Sequence, residues 1–600
     1  MKKINRTLLK SFLGLIALLL IVSIIIFIPK KASSEPWVQT NGPYGGYIHC
    51  FAIEGKDIFV GTEGNGVFHS TNNGTSWNDV NDGLTSKNVY SLAISGTNII
   101  AGTNGGVYTS NNNGVSWNLN NSDIQNTIVL SLAASGTNVF AGTSSGVFLS
   151  TDNGANWKPV NSGLSYISVN SLAISGSNIF AGTEDGGIFL STNNGESWSP
   201  VNSGLTTKQI NSITVNGTTI FAGTYGGGVF ASTDNGHSWN AVNSGLTNNH
   251  IYSLATSDNN IFAGTDDGIF LSTDNGISWN AVNSGLSNKY VFSLAAHDKN
   301  IFAGTNGGGI FLSTDNGASW KGVNSGLTNT HVGSITMKET SIFAGTNGAG
   351  VFLSNNNGED WVQINSGLTN PYVFSLAVNG TNLFAGTNGG GVFLSTNNGT
   401  SWREVNSGLT NKYVYSLTVS GTNIFAGTLG GGVFLSTDNG TSWNPVNSGL
   451  PNPNVGSIAV SGNNLIAGTF GNGIFISNDN GASWNEANSG LTNTQIFSLA
   501  TSGTNIYAGT PDSGVFRSND NGASWKEVNS GLTNPKIDCL AASGKTIIAG
   551  TYGGGVFIST NGGKSWKTGN SGLENIDVYS FCISGSNIFA GTNGRGIWVR

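Results

Sequence analysis

By length alone, 600 residues would suggest about four domains. Charged residues make up only 9% of them, against roughly 25% in an average soluble protein. Gly (89 residues) plus Pro (11) stays below the content of disordered chains, 15 Trp and 30 Phe can bury a core, and the abundance of weak helix formers argues against a helix-rich fold. The formal charge of −7 hides a basic start: beyond residue 34 the chain carries 18 basic and 31 acidic side chains, a balance with no footprint for nucleic acid.

In chain order, the first feature is a basic start followed by an apolar run from Phe12 to Ile28 and then Pro29-Lys30-Lys31. With the small residues Ala32, Ser33 and Ser34 after it, residues 1–34 read as a signal peptide, or as an uncleaved membrane anchor. Either reading places the rest of the chain outside the cytoplasm, secreted or periplasmic, or held by that anchor. Contact with a membrane is expected only through this segment, if uncleaved.

The body is one unit repeated. Ala-Gly-Thr or Val-Gly-Thr recurs fourteen times between Val60 and Ala590, at a mean spacing close to 41 residues. In the unit from Val414 to Asn447, Val414 to Ser420 alternates as a strand and Ile424 to Thr428 forms a second. After a glycine bend, Val433 to Ser436 is a third strand, and a tight Asp438-Asn439-Gly440 turn leads to a fourth over Trp443 to Val446. Short β-rich runs separated by Gly and Asn are what hairpins require, and four strands in about 41 residues is the size of a propeller blade.

The two ends decide between a ring and a solenoid. The last unit stops at its third strand, at Trp598 to Arg600, while Trp37 to Asn41 aligns with a fourth strand. The N-terminal segment therefore supplies what the last unit lacks, whereas a solenoid would need polar capping repeats. The sequence thus predicts an all-β fold of tandem seven-bladed β-propellers, with fourteen four-stranded blades and ring closure by the N-terminal strand. The expected division is 44–324 for the first propeller and 325–600 for the second, with 37–41 as its closing strand. A single large ring is the alternative.

Thirteen units carry Ser-x-Asp/Asn-x-Gly-x-x-Trp at the third turn. Asp holds the third place at Asp152, Asp234, Asp274, Asp315, Asp438, Asp479 and Asp520. A short polar side chain can bond back to the turn backbone, Gly takes a conformation other residues resist, and Trp buries a large apolar area between blades. This motif resembles the Asp-box, or bacterial neuraminidase (BNR) repeat. It is found in sialidases, sortilin, the tandem-propeller xyloglucanases and the photosystem II stability/assembly factors. The resemblance implies a structural role for these aspartates on the face away from the ligand. A calcium site is the sharper alternative, but one carboxylate per turn suits poorly a cation that takes about six to eight oxygens.

Signals for catalysis are sparse. The arginines beyond Arg6 are Arg403, Arg517, Arg595 and Arg600, in separated units, so the arginine triad that a sialidase would need is missing. Acids sit on the bends after the second strand at Glu63, Glu184, Asp185, Asp266, Asp267 and Asp512, with no pair standing out. Cys50, Cys539 and Cys582 lie in strand segments without metal-binding spacing, and the histidines form no ligand pattern. No metal or cofactor is expected, and no catalytic residue is assigned.

On a constant frame, function belongs to the positions that vary. The residue before each first strand is one, and it is aromatic or imidazole in five consecutive units: His250, Tyr290, His331, Tyr372 and Tyr413. The residue after Ala-Gly-Thr is another, with Tyr225, Leu429, Phe470 and Tyr552. Such rings can bind a carbohydrate or a protein, or merely cover blade edges. The leading expectation is therefore a monomeric, non-enzymatic binding or assembly scaffold for protein or carbohydrate ligands. The alternative is a xyloglucanase-like glycoside hydrolase.

Overall fold

The computed structural model describes residues 36–39, 45–120, 123–124, 127–165, 168–297, 299–325, 328–573, 577–584 and 587–600. Residues 1–34, read above as signal or anchor, lie outside them, as do Thr40 and Asn41 of the expected closing strand. Every regular element among the described residues is a β-strand, arranged as fourteen four-stranded antiparallel sheets and one two-stranded pairing. Among the described residues there is no helix long and apolar enough to cross a membrane.

Blade 10 shows how the repeat folds. Its first strand, Val414–Ser420, buries Val414 and Leu417 and leaves the rest half-buried; its second, Asn423–Thr428, is buried from Ile424 on. The third and fourth are Gly432–Ser436 and Asn444–Pro445. First strands of neighbouring blades pack on one another and so surround each ring axis. At the turn, Asn439 and Gly440 both have positive φ, 57° and 82°, as tight hairpin turns of this kind require. Asp438 accepts a bond from the Ser436 hydroxyl at 2.8 Å and from the Ser442 backbone N–H at 2.9 Å, closing the turn on itself.

Blades are joined by three repeated devices. The turn tryptophan enters the preceding blade: Trp443, 2% exposed, packs with Phe384 and Val392, and its indole N–H donates to the Val405 carbonyl at 2.7 Å. The Ser in the first strand accepts from the backbone of the next blade, as Ser375 does from Leu417 at 2.9 Å. The Gly of Ala-Gly-Thr lets the next first strand approach; a Cβ on Gly386 would lie 2.6 Å from Val414 Cγ1.

The same devices identify where the rings close. Phe302 and Ile310 of blade 7 pack with Ile48, Phe68 and Trp77 of blade 1, Ser293 donates to the Ile48 carbonyl at 3.1 Å, and Trp77 donates to Val323 at 2.7 Å. Phe589 and Ile597 of blade 14 pack with Val332 and Trp361 of blade 8, and Ser580 donates to the Val332 carbonyl at 3.3 Å. These are two seven-bladed rings. The N-terminal strand Val38–Gln39 pairs with the last strand, Ile597–Val599, through Val38↔Val599 and Gln39↔Trp598. Trp37 takes the tryptophan place of blade 14, donating to the Gly569 carbonyl of blade 13 at 2.6 Å.

No apolar cluster among the described residues spans both rings; contact between them is polar and backbone-mediated. Gly45 and Gly46 pair in parallel with Thr328 and Asn329. Asn347 of blade 8 donates to the Tyr47 hydroxyl of blade 1 at 2.7 Å, and Asn288 of blade 7 donates to the Gly348 carbonyl at 2.7 Å. A Cβ on Gly307 would strike the Asn347 carbonyl, so glycine permits this approach of bend to bend.

Candidate functional site

Each ring has two unlike faces. Turns between first and second strands share one face with the Ser-x-Asp/Asn turns, as the bond from Ser95 to Asn153 at 2.8 Å shows. On the other face the bend after Ala-Gly-Thr meets the residue that precedes the next blade's first strand. Tyr225 bridges His250, Asn347 bridges Tyr372, Asn388 bridges Tyr413 and Phe470 bridges Gln495. The two variable positions found in the sequence are therefore neighbours across one blade boundary. The ring–ring contacts through Tyr47, Asn288, Asn347 and Gly348 belong to this face, so the rings meet with their variable faces toward each other.

The five ring-bearing residues are divided between the rings. His250 and Tyr290 lie on the first. His250 stacks on Tyr225, with centroids 4.3 Å apart, and places Nδ1 3.1 Å from Asp266 Oδ2. Tyr290 shares a 2.7 Å hydroxyl–hydroxyl bond with Tyr252. His331 and Tyr372 lie on the second ring near the seam. His331 stacks on Tyr579 at 4.7 Å, and burial pushes its imidazole down to about 4 against the opposing pull of Glu63. The Tyr372 hydroxyl reaches the Asn306 carbonyl of the first ring at 3.4 Å, and burial pushes it up to about 12. Tyr413 is 50% exposed.

A third variable position was not singled out in the sequence. In thirteen blades the register of the first strand shifts around its second residue, a β-bulge. A bulge re-aims its side chain, and here the re-aimed residue belongs to the strand lining the axis. In the first ring it includes His49, Tyr90, Tyr252 and Phe292, which form an aromatic chain. Tyr225 meets Tyr252 at 6.4 Å, Tyr252 meets Phe292 at 5.3 Å, Phe292 meets His49 at 6.1 Å and His49 meets Tyr90 at 5.2 Å. In the second ring it includes Phe374 and Tyr415, 4.8 Å apart, and also Asp538 and Tyr579. The sequence signal was available: this position varies from unit to unit as strongly as its neighbour.

Between the rings lies a cavity of about 760 Å³. The first ring contributes Glu63, Asn65, Lys87 and Asn88; the second contributes Tyr552, Asp577, Asn593 and Arg595. Tyr552 is 52% exposed, and Lys536 Nζ sits 5.5 Å from its ring centroid. Glu63 lies 3.7 Å from His49, and the nearby imidazole holds its carboxyl below the usual range. Asp538 is shifted the opposite way, up to about 7, first by burial and then by the neighbouring Asp577. Tyr579 feels both aspartates, while His331, stacked on it, feels Glu63. Asp577, the neighbour of Asp538, lines the cavity together with Glu63, while Asp538 itself does not. Of these, Glu63 is one of the bend acids given by the sequence and Asp577 directly precedes a first strand, whereas Asp538 sits at the bulged position that alternation along one strand does not reveal. No group of three or more His, Cys, Asp or Glu side chains among the described residues could hold a metal ion.

Comparison with known proteins agrees on the fold. A family described as the DUF6242 beta propeller domain matches residues 204–342 and 467–588. No curated protein matches the sequence. Among solved structures, an ancestral GH74 enzyme superposes with a TM-score of 0.67 at 17% identity, covering 95% of this chain and 99% of its own. The GH74 xyloglucanase from Xanthomonas campestris gives 0.64 at 15% identity, over 94% and 99%. PorZ, a bacterial surface component of the type-IX secretion system of Porphyromonas gingivalis, gives 0.56 at 14% identity, over 94% and 87%. At these identities the likeness is one of fold.

Proposed function

We propose that this chain is an extracytoplasmic binding propeller that holds a segment of polysaccharide between its two rings. The observation that carries the reading is the inter-ring cavity, to which both rings contribute amide, hydroxyl and charged groups beside the half-exposed ring of Tyr552. A site with a few polar groups and an aromatic face suits a ligand that stacks on one side and hydrogen-bonds along its edges. Tyr413, also half exposed on the variable face, extends the aromatic surface of the second ring.

One observation favours a second reading, glycoside hydrolysis. Such enzymes use one carboxyl kept protonated as acid and another kept ionised as base or nucleophile. Environments that push two carboxyls apart mark such a pair. Asp538, raised to about 7, and Glu63, held low, have those characters on opposite rings.

Affinity electrophoresis in gels containing xyloglucan or mixed-linkage β-glucan, run beside reducing-end release on the same polymers, tests both. The binding reading expects retardation that a Tyr413→Ala/Tyr552→Ala variant weakens at least several-fold; unchanged retardation discards it. Turnover that falls at least 100-fold in Asp538→Asn and in Glu63→Gln would replace it with the hydrolytic one.

A further inference from the structure

On the opposite face, between blades 12 and 13, the repeat departs from its own pattern at five places that converge on one cavity. Arg517 stands where eleven other blades carry Leu, Ile, Val or Ala, Tyr507 where most carry Phe, and Lys545 and Lys564 occupy turn positions held elsewhere mainly by small or polar residues. The fifth is Gly562. Twelve other turns place an Asn there, each with positive φ, and Gly562 keeps that backbone at 72° without the side chain. In blade 10 this Asn, Asn439, meets Asn382 of the preceding blade at 3.4 Å. A Cβ on Gly562 would instead lie 3.6 Å from the Tyr507 hydroxyl and 3.7 Å from Arg517 Nη1. The missing side chain leaves open the space beside the guanidinium.

The result is a cavity of about 420 Å³ lined by Tyr507, Arg517, Lys545 and Lys564, with no acidic side chain in its wall. Where seven turns carry Asp, blade 13 has Asn561. Arg517 is half-buried and held by neutral groups: Nε and Nη2 donate to Asn505 Oδ1 at 3.1 and 2.8 Å, and Nη1 donates to the Gly562 carbonyl at 3.3 Å. A guanidinium has five N–H donors, so this clamp fixes the fork and leaves donors over for a ligand. Among the described residues none of these three cations has an ion pair, and on a body with an excess of acids that needs a reason. Solvation of isolated surface charges does not explain why the cavity-filling Asn is missing at the same place.

We propose that this cavity binds a tetrahedral oxyanion, a phosphate or sulfate group, either as the free ion or as an ester on a saccharide. The Arg517 fork would hold the anion, the Tyr507 hydroxyl would donate to it, and Lys545 and Lys564 would neutralise its remaining charge. The site faces away from the inter-ring cavity and does not depend on it.

Isothermal titration calorimetry of the full chain with inorganic phosphate, inorganic sulfate and glucose 6-phosphate, at ionic strength matched with chloride, tests the assignment. Saturable binding of phosphate or sulfate is expected, reduced at least tenfold in Arg517→Leu and in Gly562→Asn. Both substitutions install residues that other blades already accommodate, and thermal unfolding of each variant checks the fold. Tighter binding of glucose 6-phosphate than of phosphate identifies the ester as the ligand form, and equal binding identifies the free ion. Absence of saturable binding in the parent, or binding unchanged in both variants, overturns the proposal.

Discussion

Aspartates at the Ser-x-Asp-x-Gly turns act as acceptors fixed by their neighbours. Asp234, Asp274, Asp315, Asp479 and Asp520 are each pulled down to about 2 by hydrogen bonds from turn hydroxyls and backbone N–H groups. An ordinary unfolded Asp titrates near about 3.9. Because the folded values are lower, the folded state binds fewer protons in between, so the contribution is complete above about pH 4 and is lost as pH falls through about 2. Asn fills the same place elsewhere: Asn72 accepts from Ser70 at 2.9 Å and donates to Ser76 at 2.9 Å. Replacing the five aspartates by Asn should therefore retain the fold and flatten the fall of Tm between pH 4 and 2. An equally steep fall in the variant would mean that other carboxyls dominate. The bonding logic of this turn was legible in the sequence because it is local. The shifts of Asp538 and His331 were not, because burial in the folded molecule causes them.

At the scale of strands and blades, the first strand of blade 10 falls at Val414–Ser420 as the alternation predicts, and the second begins one residue earlier than expected, at Asn423. The fourth is shorter than expected, Asn444–Pro445, because Trp443 turns into the preceding blade and Val446 N–H bonds back to the Val433 carbonyl at 2.9 Å. The bulge escaped sequence reading because register is a property of two strands, whereas alternation is read along one. The Gly of Ala-Gly-Thr, in contrast, recurs as a signature whose reason emerges only from packing. In blade 5, a Cβ on Gly223 would sit 2.5 Å from Ile251 Cγ2 and 3.1 Å from its Cβ, leaving no room between blades 5 and 6. Gly223→Ala should cost about 1–3 kcal/mol, as overpacking of a filled core does. Urea unfolding followed by Trp fluorescence would measure it, and a midpoint equal to that of the parent would refute the packing role.

For the molecule as a whole, closure couples the two ends of the chain without joining the two rings into one core. Trp37 donates to Gly569 and Ser571 through its indole and backbone N–H groups and packs with Ile548, Val578 and Trp598, all in the second ring. Trp77 does the corresponding work in the first ring, against Phe302 and Ile310. Aligning the chain ends could show that a fourth strand was missing and where it would come from. The face-to-face meeting of the rings could not be read, since it rests on a few polar contacts from residues that look like any other bend. Because the apolar clusters do not cross the seam, stability should be partitioned between the rings. Truncating a buried Trp to Ala costs about 3–5 kcal/mol, so Trp37→Ala should lower the unfolding transition of the second ring although it lies at the N-terminal end, while Trp77→Ala lowers that of the first. Differential scanning calorimetry should resolve two transitions, each moved by one substitution. If both variants shift a single shared transition, the polar seam couples the rings strongly enough that they unfold as one body, and the inter-ring cavity would then be a rigid slot rather than a cleft between independently stable halves.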